Sequence, residues 1–357
     1  MKNIKSDMSF KSIILGIVLL FGSFSLYAQN ENVDKAIEAM ERKDYRTALE
    51  LFEPEAHKGD SVALTYMGDI YYYGYGVEIN YRKARSFYEK AAAKGQPSAA
   101  NNLGIMYECG LGVKANAQKA FSYYDSAAAK GYGIAFFNLG DFYLSGKLVE
   151  PDYKKAFEYF KSGANLEDLD SLNSLGYMYT NGLGTEQNYE KAFEYFTAAA
   201  SKGNVDSQNN LAKAYRLGLG TEVNVEREIF WYTKAADAGS VLAMFNLGTI
   251  YEDQENYQKA LYYYNLAAEE NDAGAICNIG YLYAYGYGVE QDFDTAFQYY
   301  LKAAELGLPV AQSNTGWFYE EGKGCEANLE KAIEWYTKAA DQGNEFATES
   351  LERLGVK

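Results

Sequence analysis

The chain has 357 residues, a formal charge of −16, one histidine and three cysteines. An acidic body of this kind repels nucleic acid and anionic membrane and favours a basic or neutral partner. An odd set of three cysteines makes no disulfide framework, and a lone histidine without a Cys/His cluster makes no zinc site; no cofactor is expected.

The first 28 residues stand apart. Lys2, Lys5 and Lys11 precede an apolar run, Ile13 to Phe21, broken only by Gly16, and small residues lead to Ala28. This pattern reads as a signal peptide, residues 1–28, cleaved after Ala28, although Leu26 is larger than the usual residue at its place. An uncleaved anchor is the alternative; the run is short against the roughly 20 apolar residues that span a bilayer. Cleavage leaves 329 residues and, because the segment carries three lysines and one aspartate, a charge of −18. The first cysteine is Cys109, so none stands near the cut to take a lipid. No asparagine beyond the segment has Ser or Thr two places on, which argues against a glycosylated eukaryotic product. The expected location is the bacterial periplasm or the cell exterior, with no membrane span after cleavage.

From residue 60 the chain repeats. Gly68, Gly104, Gly140 and Gly176 lie 36 residues apart; Ala212 and Gly248 continue the frame, Gly280 arrives four residues early, and Gly316 resumes it. A second ladder runs through Ala48, Ala84, Ala120, Ala156, Ala192, Glu228, Ala260, Ala296 and Ala332. A fixed period of this size predicts stacked supersecondary units. Within one unit Ala63, Met67 and Tyr71 share a helix face, with Gly68 beside Met67. Glycine inside a helix costs about 1 kcal/mol against alanine, so its recurrence predicts a close neighbour there. Loop pairs such as Gly74–Gly76, Gly110–Gly112, Gly182–Gly184 and Gly322–Gly324 turn the chain back, while Gly146-Lys147-Leu148 keeps only the first glycine. These loops are not phosphate cradles, since no strand precedes them and no Gly-Lys-Ser/Thr follows. A second helix, about residues 81–93, carries small Ala84 and large Phe87 and Tyr88; its aromatic pair recurs to Trp335-Tyr336. The stripe reads as core rather than a ligand cage. Residues 344–357 form a polar capping helix.

The string Ala99-x-x-x-Leu103-Gly104-x-x-Tyr107-x-x-Gly110-x-Gly112-Val113, followed by Lys119-Ala120-x-x-Tyr123-Tyr124-x-x-Ala127-Ala128-x-x-Gly131, resembles the Sel1-like repeat. The resemblance runs from about residue 60 to 345. It implies an all-α, right-handed α-solenoid related to tetratricopeptide repeats, working as a scaffold or adaptor for proteins. Residues 60–343 are then the array, and residues 29–59 an N-terminal hairpin of tetratricopeptide type, because Ala36 to Ala48 spans only 12 residues. Gly248 to Ala260 has the same deficit, with Asp253-Gln254-Glu255-Asn256 in place of the glycine loop. In the fifth unit Ala212 replaces glycine and Glu228 replaces alanine, which is expected to loosen or bend the stack.

No catalytic constellation emerges. His57, near Glu53 and Glu55, lacks the partners for a metal site or a Ser-His-Asp arrangement. An envelope hydrolase acting on β-lactam or peptidoglycan-like material, or a purely architectural spacer, are the alternatives to an adaptor. The binding expectation rests on asparagines two places before the repeat glycine: Asn102, Asn138, Asn210, Asn246, Asn278 and Asn314. An amide carries donors and an acceptor, so a ladder of them can hold an extended peptide backbone, as the tetratricopeptide resemblance implies for a concave groove. The same ladder could instead stitch adjacent hairpins. Phe137, Phe245, Trp317 and Asp141 are expected to face the groove and set specificity, Phe245 and Trp317 as exposed anchors. Acid pairs such as Glu252-Asp253 and Glu320-Glu321 would attract a basic protein or peptide.

Overall fold

The computed structural model describes residues 30–146 and 149–356. The expected signal peptide, and Lys147 and Leu148, lie outside the described residues. The described residues hold nineteen helices and no strand. None of these helices is long and apolar enough to cross a membrane.

The chain divides into two compact units, with the boundary between Gln96 and Pro97. The first contains α1 (Glu31–Glu41), α2 (Tyr45–Lys58), α3 (Ser61–Tyr73) and α4 (Tyr81–Ala93), the last matching the expected second helix. The second contains seven hairpins: α5 (Pro97–Cys109) with α6 (Ala117–Ala128), α7 (Gly133–Ser145) with α8 (Tyr153–Ala164), α9 (Leu169–Asn181) with α10 (Tyr189–Ser201), α11 (Val205–Leu217) with α12 (Val225–Asp237), α13 (Val241–Asp253) with α14 (Tyr257–Glu269), α15 (Ala273–Tyr285) with α16 (Phe293–Glu305), and α17 (Pro309–Glu321) with α18 (Leu329–Ala340). The chain ends in α19 (Glu345–Arg353). Within each unit every hairpin packs on the next, so the core continues from hairpin to hairpin.

One contact explains the glycine ladder. In the seven described hairpins that carry the repeat glycine, an aromatic ring of the second helix lies against that glycine of the first. A methyl on Gly104 would collide with the Tyr124 ring, on Gly140 with Phe160 and on Gly176 with Phe196. Tyr124 and Phe160 are accordingly buried almost completely. The contact is looser at Gly280, where the Tyr300 ring stands 3.1 Å from the site a methyl would take. At Ala212 the methyl is present and buried.

A second contact explains why loop length can vary. The N–H of Asn188, which caps α10, donates to the Tyr179 carbonyl at 2.9 Å and so closes the glycine loop. In the short hairpin the N–H of Asn256 donates to the Tyr251 carbonyl at 2.8 Å across a turn four residues shorter. The cap side chain then satisfies a free helix N–H: Asn188 Oδ1 accepts from the Lys191 N–H at 2.8 Å. The Lys191 Nζ comes to lie 5.2 Å from the Tyr179 ring centre, and that ring stacks on Tyr195 at 5.7 Å. The same lysine-over-tyrosine arrangement recurs at Lys119 and Tyr107, Lys155 and Tyr143, and Lys259 and Tyr251.

Glu228 is the exception in the alanine ladder. It is buried, 3% exposed, and its Oε1 has no hydrogen-bond donor, the Arg216 Nε standing 4.0 Å away. Burial raises its carboxyl pKa, the Arg216 charge opposing that shift. A buried acceptor without a donor costs about 1–3 kcal/mol.

Two predictions follow from these contacts. Gly104→Ala and Gly140→Ala should each lose about 1–3 kcal/mol by overpacking, outweighing the helix-propensity gain, whereas Gly280→Ala should be near neutral. Urea unfolding of the three variants checks this, and equal losses at all three sites would rule out the ring contact as the cause. Glu228→Ala should gain about 1 kcal/mol at pH 7. A raised acid favours folding at low pH and loses that contribution as pH rises through its folded pKa, so the gain should shrink on acidification. Thermal melts across pH 4 to 8 measure it.

Candidate peptide-binding face

Counting from the repeat glycine, positions −6, −2, +1 and +5 fall on one face of the first helix. In the second compact unit this face is open. Position +5 is exposed in every hairpin: Cys109, Ser145, Asn181, Leu217, Asp253, Tyr285 and Glu321. Position −2, the asparagine ladder, is half-buried throughout. The outer positions vary from hairpin to hairpin, while the ladder is nearly constant.

The asparagines reach across hairpins. Asn138 Nδ2 donates to Asn101 Oδ1 at 2.7 Å, and Asn210 Nδ2 donates to Asn173 Oδ1 at 2.9 Å. Asn314 bonds the Cys277 thiol, which occupies the same place relative to its own glycine. In all three the acceptor stands three residues before the preceding repeat glycine. Asn246 instead donates to the Leu242 carbonyl of its own helix at 2.8 Å, Asn278 bonds the Tyr264 hydroxyl, and Asn102 is half-buried and engaged. The ladder therefore stitches hairpins at four places, Asn278 reaching Tyr264 of the preceding hairpin, and each bond to an asparagine acceptor uses the Nδ2 donor, leaving the Oδ1 acceptor at 138 and 210 uncommitted.

The four specificity candidates divide. Phe137 and Phe245 are half-buried packing residues: at position −3 they turn off the open face, Phe137 against Phe160 with ring centres 5.9 Å apart and Phe245 against Tyr264 at 6.0 Å. Trp317 and Asp141, at position +1, lie on the open face and are half-buried. The Trp317 ring already carries the Lys323 ammonium 4.3 Å from its centre, and Asp141 is engaged, its charge felt at the Tyr124 hydroxyl. Sequence reading missed position −6, where Leu242 and Val310 are more than half exposed, and Asp170, which accepts from Asn204 Nδ2 at 2.9 Å. The missed signal was the second helical step, from −2 back to −6.

Acids at position +4 are not free to act on a partner with both oxygens. Tyr124 donates its hydroxyl to Glu108 at 2.7 Å, Tyr264 to Glu252 at 2.6 Å and Tyr336 to Glu320 at 2.8 Å. Arg353 of α19 also grips Glu320 with both terminal nitrogens, at 2.6 and 2.8 Å, which ties the last helix down. Where the ring is Phe160 or Phe196 the +4 residue is Leu144 or Thr180; the other three ring tyrosines have no acid there, Tyr88 donating instead to Asp69 at position +1 and Tyr232 and Tyr300 having Arg216 and Ala284 at +4. His57 is exposed, its Nδ1 bonded to the Glu53 carbonyl at 2.8 Å. Among the described residues no three His, Cys, Asp or Glu side chains gather as a metal group, and the three cysteines form no disulfide.

Burial sets the pH response. In the first compact unit Asp69 accepts the Tyr88 hydroxyl at 2.6 Å, yet burial pushes its carboxyl up to about 7. Burial and the nearby charge of Asp168 push Asp170 up to about 6. Each carboxyl holds its proton more tightly folded than unfolded, so each favours folding below about pH 4 and loses that contribution as pH rises through its folded pKa. Asp69→Asn keeps an acceptor for Tyr88 and should raise stability by about 2 kcal/mol at pH 8, the difference narrowing toward pH 4. Urea titrations at both pH values check this; a destabilised variant at pH 8 would overturn it.

The Sel1 repeat model matches eight successive segments, residues 61–96, 97–132, 135–168, 169–204, 205–240, 241–272, 273–308 and 309–344. The crystal structure of a protective antigen of uropathogenic Escherichia coli with an SLR fold is similar over 89% of this chain and 70% of that one, at 33% identity and a TM-score of 0.69. A Sel1 repeat protein from Oxalobacter formigenes is similar over 67% of this chain and 99% of that one, at 29% identity and a TM-score of 0.61. None of the curated proteins matches the chain. Eight matched repeats, in register with the glycine-and-ring hairpins, make this chain a member of the Sel1 repeat family, an α-solenoid of a kind that commonly mediates protein–protein interaction.

Proposed function

We propose that the protein is an exported, non-catalytic adaptor in the bacterial periplasm or outside the cell, and that the first-helix face of residues 97–356 holds a basic protein or peptide segment. One observation carries this reading: an amide at position −2 recurs at the middle of the open face in six of its seven hairpins, beside an exposed position +5 whose residue differs in every one of them. Constant amides suit a peptide backbone, which is the same for every partner. Variable neighbours suit its side chains. The formal charge of −16 favours a basic segment.

Asn246 separates binding from stitching, because its own bond stays within its helix. Asn246→Ala should change stability by less than about 0.5 kcal/mol and weaken partner capture, whereas Asn210→Ala should lose about 1 kcal/mol as well. A crosslinking pull-down from the native host, read by mass spectrometry beside melting curves, makes the comparison. Capture unaffected by Asn246→Ala, Asn278→Ala and Asn210→Ala together would leave the ladder a structural stitch. Nitrocefin or muropeptide turnover abolished by a point change on this face would replace the adaptor by a hydrolase. Export predicts that the chain recovered from the host begins at Gln29 on N-terminal sequencing; recovery of an intact Met1 would contradict it.

A further inference from the structure

A cleft of about 370 Å³ opens between α17 and α19, where the array ends. It is lined by Trp317, Glu321, Phe346, Glu349, Ser350 and Arg353. α19 continues the first-helix frame, with Glu352 at the glycine's place, so Phe346 is its position −6 and Glu349 its position −3. Two pairings across this cleft occur at no other junction of the second unit. Position +1 of one first helix and position −6 of the next are both aromatic only at Trp317 and Phe346; Tyr177 is followed by Asp206, and Tyr281 by Val310. Position +5 and the next position −3 are both acids only at Glu321 and Glu349; Asp253 is followed by Cys277. A capping helix needs a polar outer side, yet Phe346 is 50% exposed. Its ring meets Tyr336 edge-on at 6.2 Å. Trp317 is half-buried, meets Phe318 edge-on at 5.4 Å and carries the Lys323 ammonium 4.3 Å from its centre. Both rings still line the cleft.

The lining charges do not cancel. Arg353 is the one basic lining residue, and both its terminal nitrogens are on Glu320, at 2.6 and 2.8 Å. Glu320 also takes the Tyr336 hydroxyl at 2.8 Å, so this wall is fixed before any partner arrives. Glu321 and Glu349 are exposed, and among the described residues neither makes a hydrogen bond or an ion pair; Glu321 acts on Arg353 by charge alone. Two carboxylates on one cleft repel each other until a cation comes between them. The volume is at the low end for a small-ligand pocket and suits one long side chain. We infer that the cleft is a docking site for an arginine side chain of a basic segment, its guanidinium against Trp317 and Phe346 and its N–H groups donating to Glu321 and Glu349. A guanidinium is flat enough to lie on aromatic faces and has five donors, enough for two carboxylates at once. The inference rests on the adaptor reading and deepens it, naming one side chain of the partner and the end of the face that takes it.

Fluorine NMR of the full chain carrying 5-fluorotryptophan tests the inference, since the chain has three tryptophans and Trp317 alone of them lines the cleft. Trp317→Phe assigns the Trp317 line by its loss. Acetyl-Gly-Arg-Gly amide, titrated in about 150 mM salt, should move the Trp317 line saturably and leave those of Trp231 and Trp335 in place. The same peptide with citrulline for arginine keeps the shape without the charge and should bind about tenfold more weakly. Glu321→Gln and Glu349→Gln should each weaken binding about fivefold, while Glu352→Gln, on α19 but outside the cleft, should change it by less than about twofold. Lys323→Gln removes the ammonium already on Trp317 and should tighten binding about twofold. Equal binding of the citrulline peptide, an equal loss in Glu352→Gln, or weaker binding in Lys323→Gln would each overturn the inference. If the arginine peptide leaves the Trp317 line unmoved while Asn246→Ala still loses the crosslinked partner, the cleft proposal falls and the adaptor reading stands. If the cleft binds arginine while capture survives every amide change, the cleft stands and the amide ladder does not.

Discussion

The packing of an aromatic ring onto a glycine within seven of the hairpins sets the geometry of everything else. A glycine in mid-helix is locally unfavourable, by about 1 kcal/mol against alanine. It is kept because the ring of Tyr124, Phe160 or Phe196 occupies the volume where a methyl would stand. The ring brings large buried area, and the missing methyl lets the two helix backbones approach. With the hairpin angle held by that contact, the alanine ladder can meet its neighbours and the open face is presented in the same orientation each time. The loops are then free to differ, since the cap-to-tyrosine bond closes over eight intervening residues in one hairpin and four in another.

Polar groups are arranged around this core in a consistent way. Where an acid stands at position +4, the ring is a tyrosine that donates its hydroxyl to it. The amide ladder links neighbouring hairpins through a partner 37 residues back. The α11–α12 hairpin departs furthest from the scheme: Ala212 fills the glycine place, Glu228 enters the alanine ladder, and the buried Trp231 Nε1 and Glu228 Oε1 lack partners. That hairpin gives up stability for a reason that no contact in the structure supplies.

Much of this was legible in the sequence. A strict period and the recurring glycines and aromatics gave the hairpins, the helix limits of α4 and the core role of the tyrosine stripe, because each depends on residues close in the chain. What was not legible depended on side-chain direction between hairpins. Phe137 and Phe245 look like groove residues by distance from the glycine, but position −3 turns them onto the neighbouring packing surface. The partners of Asn138, Asn210 and Asn314 lie 37 residues back, one step out of register, so a search for equal positions overlooks them. The role of the Asn-x-x-Lys segments as helix caps was also missed, although Asn188 and Lys191 carry the signal plainly.

The most direct test of the ring-and-glycine contact is a double-mutant cycle between Gly140 and Phe160. If the ring occupies the methyl's place, Phe160→Leu should relieve most of the cost of Gly140→Ala, giving a coupling of about 1 kcal/mol or more between two sites that meet only through that contact. Additive losses in the two single variants and the double variant would show that the glycine is kept for some other reason, and the explanation of the repeat would have to be rebuilt.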